Sequence, residues 1–188
     1  MQRSRRIAMV RRNTMIDELS MRALCSFLVE AKRHTFAADA RRMPSKSPAS
    51  KNYQFECGSF RYEDQYFGEI VDVGMETVWY DEVPVWGMTY RGGVYQEYVD
   101  IKHELFAFLR EALRNPPLAF PTRGPENHQR GALTYANHTE GDISAFHGRE
   151  TVQMDGVFVC YRRYVGGLIF GKRNPGMRLL HDLDAAQP

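Results

Sequence analysis

Two segments of the chain carry apolar residues at helical spacing. Leu24, Phe27, Leu28 and Ala31 recur at i, i+3, i+4 and i+7, and Leu105, Phe108, Leu109 and Ala112 do the same. That period lays them along one stripe of an amphipathic helix. It predicts helices over about Ile16–Arg33 and Ile101–Arg114, the second ended by Asn115-Pro116-Pro117. Each helix is followed by an irregular crossing. The first runs over Ala37–Asn52 and holds Pro44 and Pro48; the second is rich in Pro and Gly and runs to Gly131. Short β-type segments follow near Tyr53–Glu56, Phe60–Tyr66, Glu69–Val73, Thr77–Tyr80 and Val83–Tyr90. A second series lies near Leu133–His138, Asp142–Phe146, Thr151–Met154 and Val157–Tyr164. Cys57-Gly58-Ser59, Gly74-Met75 and Asp81-Glu82 read as turns, and Asp155-Gly156 is the strongest hairpin turn because its glycine tolerates positive φ.

The two series repeat one another. At an offset of 74, nine of the twenty residues in 75–94 recur in 149–168: Glu76/Glu150, Thr77/Thr151, Val78/Val152, Asp81/Asp155, Val83/Val157, Val85/Val159, Tyr90/Tyr164, Gly92/Gly166 and Gly93/Gly167. Upstream the offset is 73, matching Tyr62 to Tyr135, Gly68 to Gly141 and Ile70 to Ile143, so one residue is inserted in the second copy, placed near His147-Gly148. The helices match too: LCSFLVEAKR over LFAFLREALR shares six of ten residues. Two matches in the same order point to duplication of an α-β4 unit. The expected fold is α+β, a mainly antiparallel sheet with two helices packed on one face. One sheet of about eight strands and two half-sheets both satisfy the pattern.

Alternation along Val83–Tyr90 sets Val83, Val85, Gly87 and Thr89 on one face and Pro84, Trp86, Met88 and Tyr90 on the other. The small branched face recurs as Val157 and Val159, opposite Phe158, Cys160 and Tyr164, and is assigned to packing against the helices. The other face is also apolar and needs a cover: a loop, a homodimer partner or a ligand. A ligand pocket there would be walled by Tyr62, Tyr66, Trp79, Trp86 and Tyr90.

Composition narrows the class. A chain of 188 residues that is 43% hydrophobic and 26% charged is globular, and no apolar run is long enough for a membrane helix. Arg3, Arg5, Arg6, Arg11 and Arg12 supply +5 with no acid in the first 14 residues, so the net +2 leaves −3 for the rest. Residues 1–14 are expected as a disordered basic leader, 15–95 and 96–170 as the two repeats of one domain, and 171–188 as a tail. The apolar stretch Ile7–Val10 is too short for an export signal. Net charge gives no argument for a nucleic-acid partner. Three cysteines, Cys25, Cys57 and Cys160, without CxxC spacing read as buried thiols of a cytoplasmic protein.

No P-loop, GxGxxG, GxSxG or HExxH motif is present, so no cofactor is expected. His128, His138 and His147 fit no metal spacing. Glu76 and Glu150 invite comparison with paired catalytic acids, yet both are placed just after a turn, an ordinary strand start. Lys32, Arg33 and His34 offset the carbonyl end of the first helix, and Lys32 can also serve as a polar anchor. Arg123 lies in a loop, where it can clamp an anion or stand in solvent.

Three stretches together with Arg123-Gly124-Pro125 and Gly166-Gly167 resemble an uncharacterised bacterial domain family. The stretches are Ala31–Ala37, Tyr62–Gly68 with Asp64 within it, and Pro84–Tyr90. The likeness covers about residues 20–170. The resemblance implies a domain found alone or behind an Xre-type helix-turn-helix, with members bearing a regulator label and no established activity. Fourteen residues before the first helix are too few for a helix-turn-helix. The reading that results is a non-catalytic ligand-binding or sensory domain with a small-molecule site formed by Lys32, Tyr62, Asp64, Tyr66, Trp79, Trp86, Tyr90 and Arg123. Two alternatives stand beside it: an enzyme using Glu76, Glu150 or Asp64, and a nucleic-acid or partner-binding module using the basic arm.

Overall fold

A computed structural model describes residues 21–171. Helix α1, Met21–Arg33, leads through a short 3-10 turn, Phe36–Ala38, to strands β1 (Lys51–Cys57), β2 (Phe60–Gly68), β3 (Val71–Tyr80) and β4 (Val83–Val94). A second 3-10 turn, Gln96–Ile101, precedes helix α2, Lys102–Leu113. Strands β5 (Asn127–Arg130), β6 (Leu133–Asp142), β7 (Ala145–Met154) and β8 (Val157–Leu168) complete the chain. The part of the first predicted helix before Met21, the leader 1–14 and nearly all of the tail 171–188 lie outside the described residues.

All eight strands form one antiparallel sheet in the order β1-β2-β3-β4-β8-β7-β6-β5. The fold is therefore α+β with a single sheet rather than two half-sheets. β4 and β8 meet at the centre, where Tyr90 pairs with Tyr164, the residue 74 positions on. The sheet thus has an approximate twofold axis at that pair, each side holding one four-strand meander. Matching turns carry matching strain: Asp81 and Glu82 have φ of 46° and 62°, Asp155 and Gly156 have 50° and 81°. Positive φ at both turn positions suits the twist of a two-residue hairpin. Between the paired residues Gly68↔Asp72 the chain has three residues, and between Gly141↔Phe146 it has four. The extra residue of the second half therefore sits in the β6–β7 turn, not near His147-Gly148.

Strand boundaries differ from the sequence reading in two places. Gly74-Met75 and residues 147–150 are not turns but the middles of β3 and β7. A Cβ on Gly74 would lie 2.5 Å from the Tyr90 ring, and one on Gly148 would lie 2.3 Å from the Tyr164 hydroxyl. Glycine is there because a tyrosine ring crosses over it, not because the chain bends. The edge strand β5 has no apolar alternation to announce it, since Asn127–Arg130 is wholly polar.

Both helices lie on one face of the sheet. α1 buries Leu24, Phe27, Leu28 and Ala31 against Tyr53, Tyr62, Val78 and Trp86; α2 buries Leu105, Phe108, Leu109 and Ala112 against Leu133, Tyr135, Val152 and Val159. The face assignment made from alternation is overturned in β4 and β8. The pairing shifts between Val78 and Trp79 and again between Val152 and Gln153, leaving Val85 and Val159 as the extra residues of two matching bulges. A bulge reverses the parity of everything beyond it. Val85 and Trp86 are both buried, then Met88 and Tyr90 point inward while Thr89 is exposed; Val159 and Cys160 are followed inward by Arg162 and Tyr164.

The opposite face is open among the described residues. Val73, Met75 and Val165 are exposed there, beside Arg91, Arg163 and Arg149, which are exposed and paired in one cross-strand row. Cys25 and Cys160 are buried, as expected of structural thiols, whereas Cys57 at the β1–β2 turn is exposed, against expectation. No described helix is long and apolar enough to cross a membrane.

Candidate functional site

Between the two apolar clusters the helix-facing side of the sheet is charged. Lys32, Asp64, Glu76, Arg123, Glu150 and Arg162 are all buried, and Asp72 is nearly so. Burying this many ionisable groups is costly unless each is paired. They are paired in a chain of alternating sign. Lys32 Nζ donates to Glu76 Oε2 at 2.5 Å, and Arg123 Nη1 stands 3.7 Å from Glu76 Oε1. Arg123 then forks onto Glu150, Nε to Oε2 at 3.0 Å and Nη2 to Oε1 at 2.5 Å. Arg162 Nε is 3.5 Å from Glu150 Oε1, and its Nη2 donates to Asp72 Oδ2 at 2.8 Å. Arg123 thus ties together the two glutamates that match across the axis.

Local structure explains how each group arrives. Lys32 follows Leu28 by one helical turn and so continues the buried stripe of α1. Its duty is to Glu76; Arg33 instead reaches Glu30, and the His34 ring contacts the Glu30 carbonyl. Asp64 and Glu76 are cross-strand partners, as are Glu150 and Arg162, so each pair shares the inner face. Arg162 pairs with Gly92 and Gly92 with Asp72, which leaves no side chain between the guanidinium and the carboxylate. Arg123 is fixed by its loop: the Gly124 N–H donates to the Tyr135 hydroxyl at 3.2 Å, and that hydroxyl donates to Glu150 at 2.9 Å.

The seventh ionisable group is Asp64. Its Oδ1 accepts the Tyr90 hydroxyl at 2.7 Å. Burial, and then the Glu76 charge, push its carboxyl up to about 7, against the pull of Tyr90, Lys32 and Arg123. Burial likewise draws the Lys32 ammonium below the ordinary lysine range, with Glu76 opposing it. Glu150 goes the other way. Burial alone would raise it, but the charge and hydrogen bonds of Arg123, with Arg162 and Tyr135, hold it below the usual carboxylate range. Burial and then Asp64 keep the Tyr90 phenol protonated, well above its ordinary value, so it remains a donor. Three cations, Lys32, Arg123 and Arg162, face four acids, Asp64, Asp72, Glu76 and Glu150; the cluster is neutral when Asp64 holds a proton.

All of this cluster except Glu150 lines a cavity of about 40 Å3, together with Thr35, Phe36, Tyr62, Tyr66, Tyr90 and Thr122. A water needs roughly 10–15 Å3 measured this way, so the space holds a few water-sized groups. Three buried polar atoms on its lining residues make no hydrogen bond among the described residues: Asp72 Oδ1, Thr122 Oγ1 and Arg162 Nε. Buried groups of this kind are normally satisfied.

Of the eight residues singled out from sequence, Lys32, Tyr62, Asp64, Tyr66, Tyr90 and Arg123 meet at this cavity. Trp86 and Trp79 do not. Trp86 is fully buried, stacked on Phe146 at 5.9 Å, with its Nε1 donating to the Ile143 carbonyl at 3.1 Å. Trp79 lies one position beyond Val78 and stacks under Arg61 at 4.0 Å. Both belong to packing: Trp86 is held in the α1 core against Phe146, and Trp79 is covered by Arg61. Glu76 and Glu150 sit in mid-strand and not at strand starts. Asp72, Thr122, Tyr135 and Arg162 went unnoticed in the sequence. Arg162 had a signal, since it alternates with the inward residues Cys160 and Tyr164. The histidines take other partners: His128 contacts Glu111, and His138 and His147 flank Glu140. No group of three metal-type side chains gathers among the described residues.

No curated protein and no solved structure matches this chain. A family model does match, over residues 64–169, from the middle of β2 to just past β8. The match is shorter than the 20–170 expected from the resemblance. It leaves out α1, β1 and therefore Lys32, and takes in Asp64, Asp72, Glu76, Arg123, Glu150 and Arg162. It spans 106 of the 188 residues, and the chain accordingly belongs to the family described as a domain of unknown function (DUF5680).

Proposed function

We propose that this domain binds a small molecule, without catalysis, in the cavity between the helices and the inner face of the sheet. The observation that carries the reading is the trio of unpartnered buried atoms, Asp72 Oδ1, Thr122 Oγ1 and Arg162 Nε. Leaving such an atom without a partner costs about 1–3 kcal/mol, and a ligand with both donors and acceptors removes that cost. The buried ion pairs support the same reading, because a well-packed apolar core would serve stability as well or better. A sensory role extends it: occupancy of a cavity tied to α1 through Lys32 and to the loop before β5 through Arg123 would change how those elements are held. The link to transcription regulation belongs to this proposal and rests on the resemblance alone.

A thermal-shift screen of small polar metabolites against the full chain tests the reading. A ligand that raises Tm in the unaltered protein and loses its effect in Thr122→Val is the expected result. A crystal structure showing only ordered waters bridging the three atoms, with no metabolite shifting Tm, overturns it.

One observation favours a second reading, an acid–base enzyme. Asp64 titrates near 7, where a general acid or base is most effective. Glu76 and Glu150 are both committed to Arg123, so Asp64 is the group this reading uses. Turnover of a bound metabolite that vanishes in Asp64→Asn while binding persists would select it; unchanged metabolite after prolonged incubation rejects it.

A further inference from the structure

Directly outside the cavity lies a second, larger hollow of about 360 Å3, and the two share Phe36, Tyr66, Asp72 and Arg162. The shared residues make it a vestibule, with the ring residues as its neck and the Arg162–Asp72 pair as its floor. Its charge runs against that of the molecule around it. Arg42, Lys51, Lys102, Arg110 and Arg162 supply five positive charges and Asp39, Glu69 and Asp72 three negative ones, a net +2, whereas residues 15–188 together sum to −3. The acids are taken: Glu69 by Lys51 at 3.0 Å, Asp72 by Arg162 at 2.8 Å, Asp39 by Arg110 at 3.9 Å. Arg42 and Lys102 form no ion pair among the described residues. Lys102 also stands at the first position of α2, where the helix dipole adds positive potential.

Beyond the neck the excess of positive charge ends. The inner cavity has three acids, Asp64, Asp72 and Glu76, to three cations, and two of its three unpartnered atoms, Asp72 Oδ1 and Thr122 Oγ1, can accept a hydrogen bond. The path is therefore positive at the mouth and acceptor-rich at the bottom.

We propose that the ligand is a small anion, a phosphate or carboxylate, that carries a hydroxyl or amino donor at its other end. The anionic group docks in the vestibule on Arg42 and Lys102. The donor passes the Phe36–Tyr66 neck to Asp72 Oδ1 and Thr122 Oγ1. This inference rests on the binding function proposed above and adds the ligand's polarity and direction of entry.

Binding to the full chain is followed by 1H–15N NMR with four probes. Phosphoethanolamine and β-alanine carry both ends, one with phosphate and one with carboxylate; ethyl phosphate lacks the donor, and ethanolamine lacks the anion. The expected result is that at least one two-ended probe shifts the Lys102 and Arg162 signals, at least about tenfold more tightly than either one-ended probe and more weakly as salt rises. Which two-ended probe binds better separates phosphate from carboxylate. Arg42→Gln with Lys102→Gln should weaken that probe about tenfold with only a small fall in Tm, since neither residue holds an ion pair and the exposed Arg42 loses only its hydrogen bonds to Tyr53 and Tyr66. Three results overturn the proposal: equal binding of ethanolamine, binding indifferent to the double substitution, or no probe shifting these signals. In each, a neutral metabolite found by thermal shift would leave the cavity's binding role standing, so the two failures are distinguishable.

Discussion

Two cross-strand rows occupy matching places on either side of the central β4–β8 pair, and their chemistry is opposite. One runs Glu76, Met88, Gly166, Phe146; the other runs Glu150, Arg162, Gly92, Asp72. Glutamate matches glutamate and glycine matches glycine at the 74-residue offset, but Met88 stands where the other row has Arg162, and Phe146 where it has Asp72. The first row closes over Trp86 as ordinary core. The second, with the same backbone geometry, becomes an ion-pair chain beside a cavity. A third difference crosses the halves the other way: Tyr90 donates to Asp64, while the matching Tyr164 donates to Asn137 Oδ1 at 2.7 Å. The scaffold is nearly symmetric and its charges are not. The site lies where three side chains break the match.

The sharpest way to break the comparison is at the residue that serves both halves. Arg123→Met strips the fork from Glu150 and the longer contact from Glu76, leaving buried carboxylates short of charge, and should cost about 3–5 kcal/mol in urea unfolding. Lys32→Met should cost less, about 1–3 kcal/mol, because Glu76 keeps Arg123. Equal losses would mean that the two glutamates are not held as unequally as the distances say. Converting one row into the other comes next. Arg162→Met alone strands Asp72 and destabilises; Arg162→Met with Asp72→Phe should be neutral or stabilising by up to about 4 kcal/mol, and should abolish metabolite binding. A double variant less stable than the single one contradicts the equivalence of the rows. Gly74→Ala and Gly148→Ala press on matching tyrosines and should each cost about 1–3 kcal/mol in thermal unfolding. The second should cost more, since its Cβ also meets the His138 backbone carbonyl oxygen at 2.7 Å, which cannot turn aside as a side chain can.

The smallest effect is a slope. Asp64 has a folded value of about 7 against about 3.9 in an unfolded chain. Between these the folded protein holds a proton that the unfolded chain has released. Its stabilisation is complete below about pH 4 and is lost as pH rises to about 7. Glu150, held below its ordinary value, contributes in the opposite sense, with stability present above about pH 4.3 and lost on acidification. Asp64→Asn makes the first half resemble the second. Relative to the unaltered protein, the variant should gain stability from about pH 4 to about pH 7 and level off above that in parallel denaturant titrations; a constant difference refutes the assignment.

Much of this was legible in the sequence for definite reasons. The helices follow from Leu24–Ala31 and Leu105–Ala112, and the hairpins from Asp81-Glu82 and Asp155-Gly156, because period and turn chemistry are local. The inner face of the sheet was misread because parity is local only until a bulge intervenes. Val85 and Val159 sit one residue out of step, and nothing in Val-Pro-Val-Trp or Val-Phe-Val-Cys marks the extra residue. That slip assigned the face of Trp86, Met88 and Tyr90 to an outside cover, when it packs against the helices. Gly74 passed for a turn since its reason, the Tyr90 ring, lies on another strand. Arg123 could be chosen as a loop arginine, but its burial between Glu76 and Glu150 depends on how that loop closes over the sheet.

The protonation of Asp64 is the point on which the contrast between the halves turns, and it can be read directly. A 13C NMR titration of the Asp64 side-chain carboxyl in the full chain, assigned with Asp64→Asn, should show a midpoint near 7, with the Tyr90 signals moving in step. A midpoint near 4, the value of a solvated aspartate, would contradict the account. Asp64 would then be charged at neutral pH, and the buried cluster would carry one negative charge more than its three cations balance.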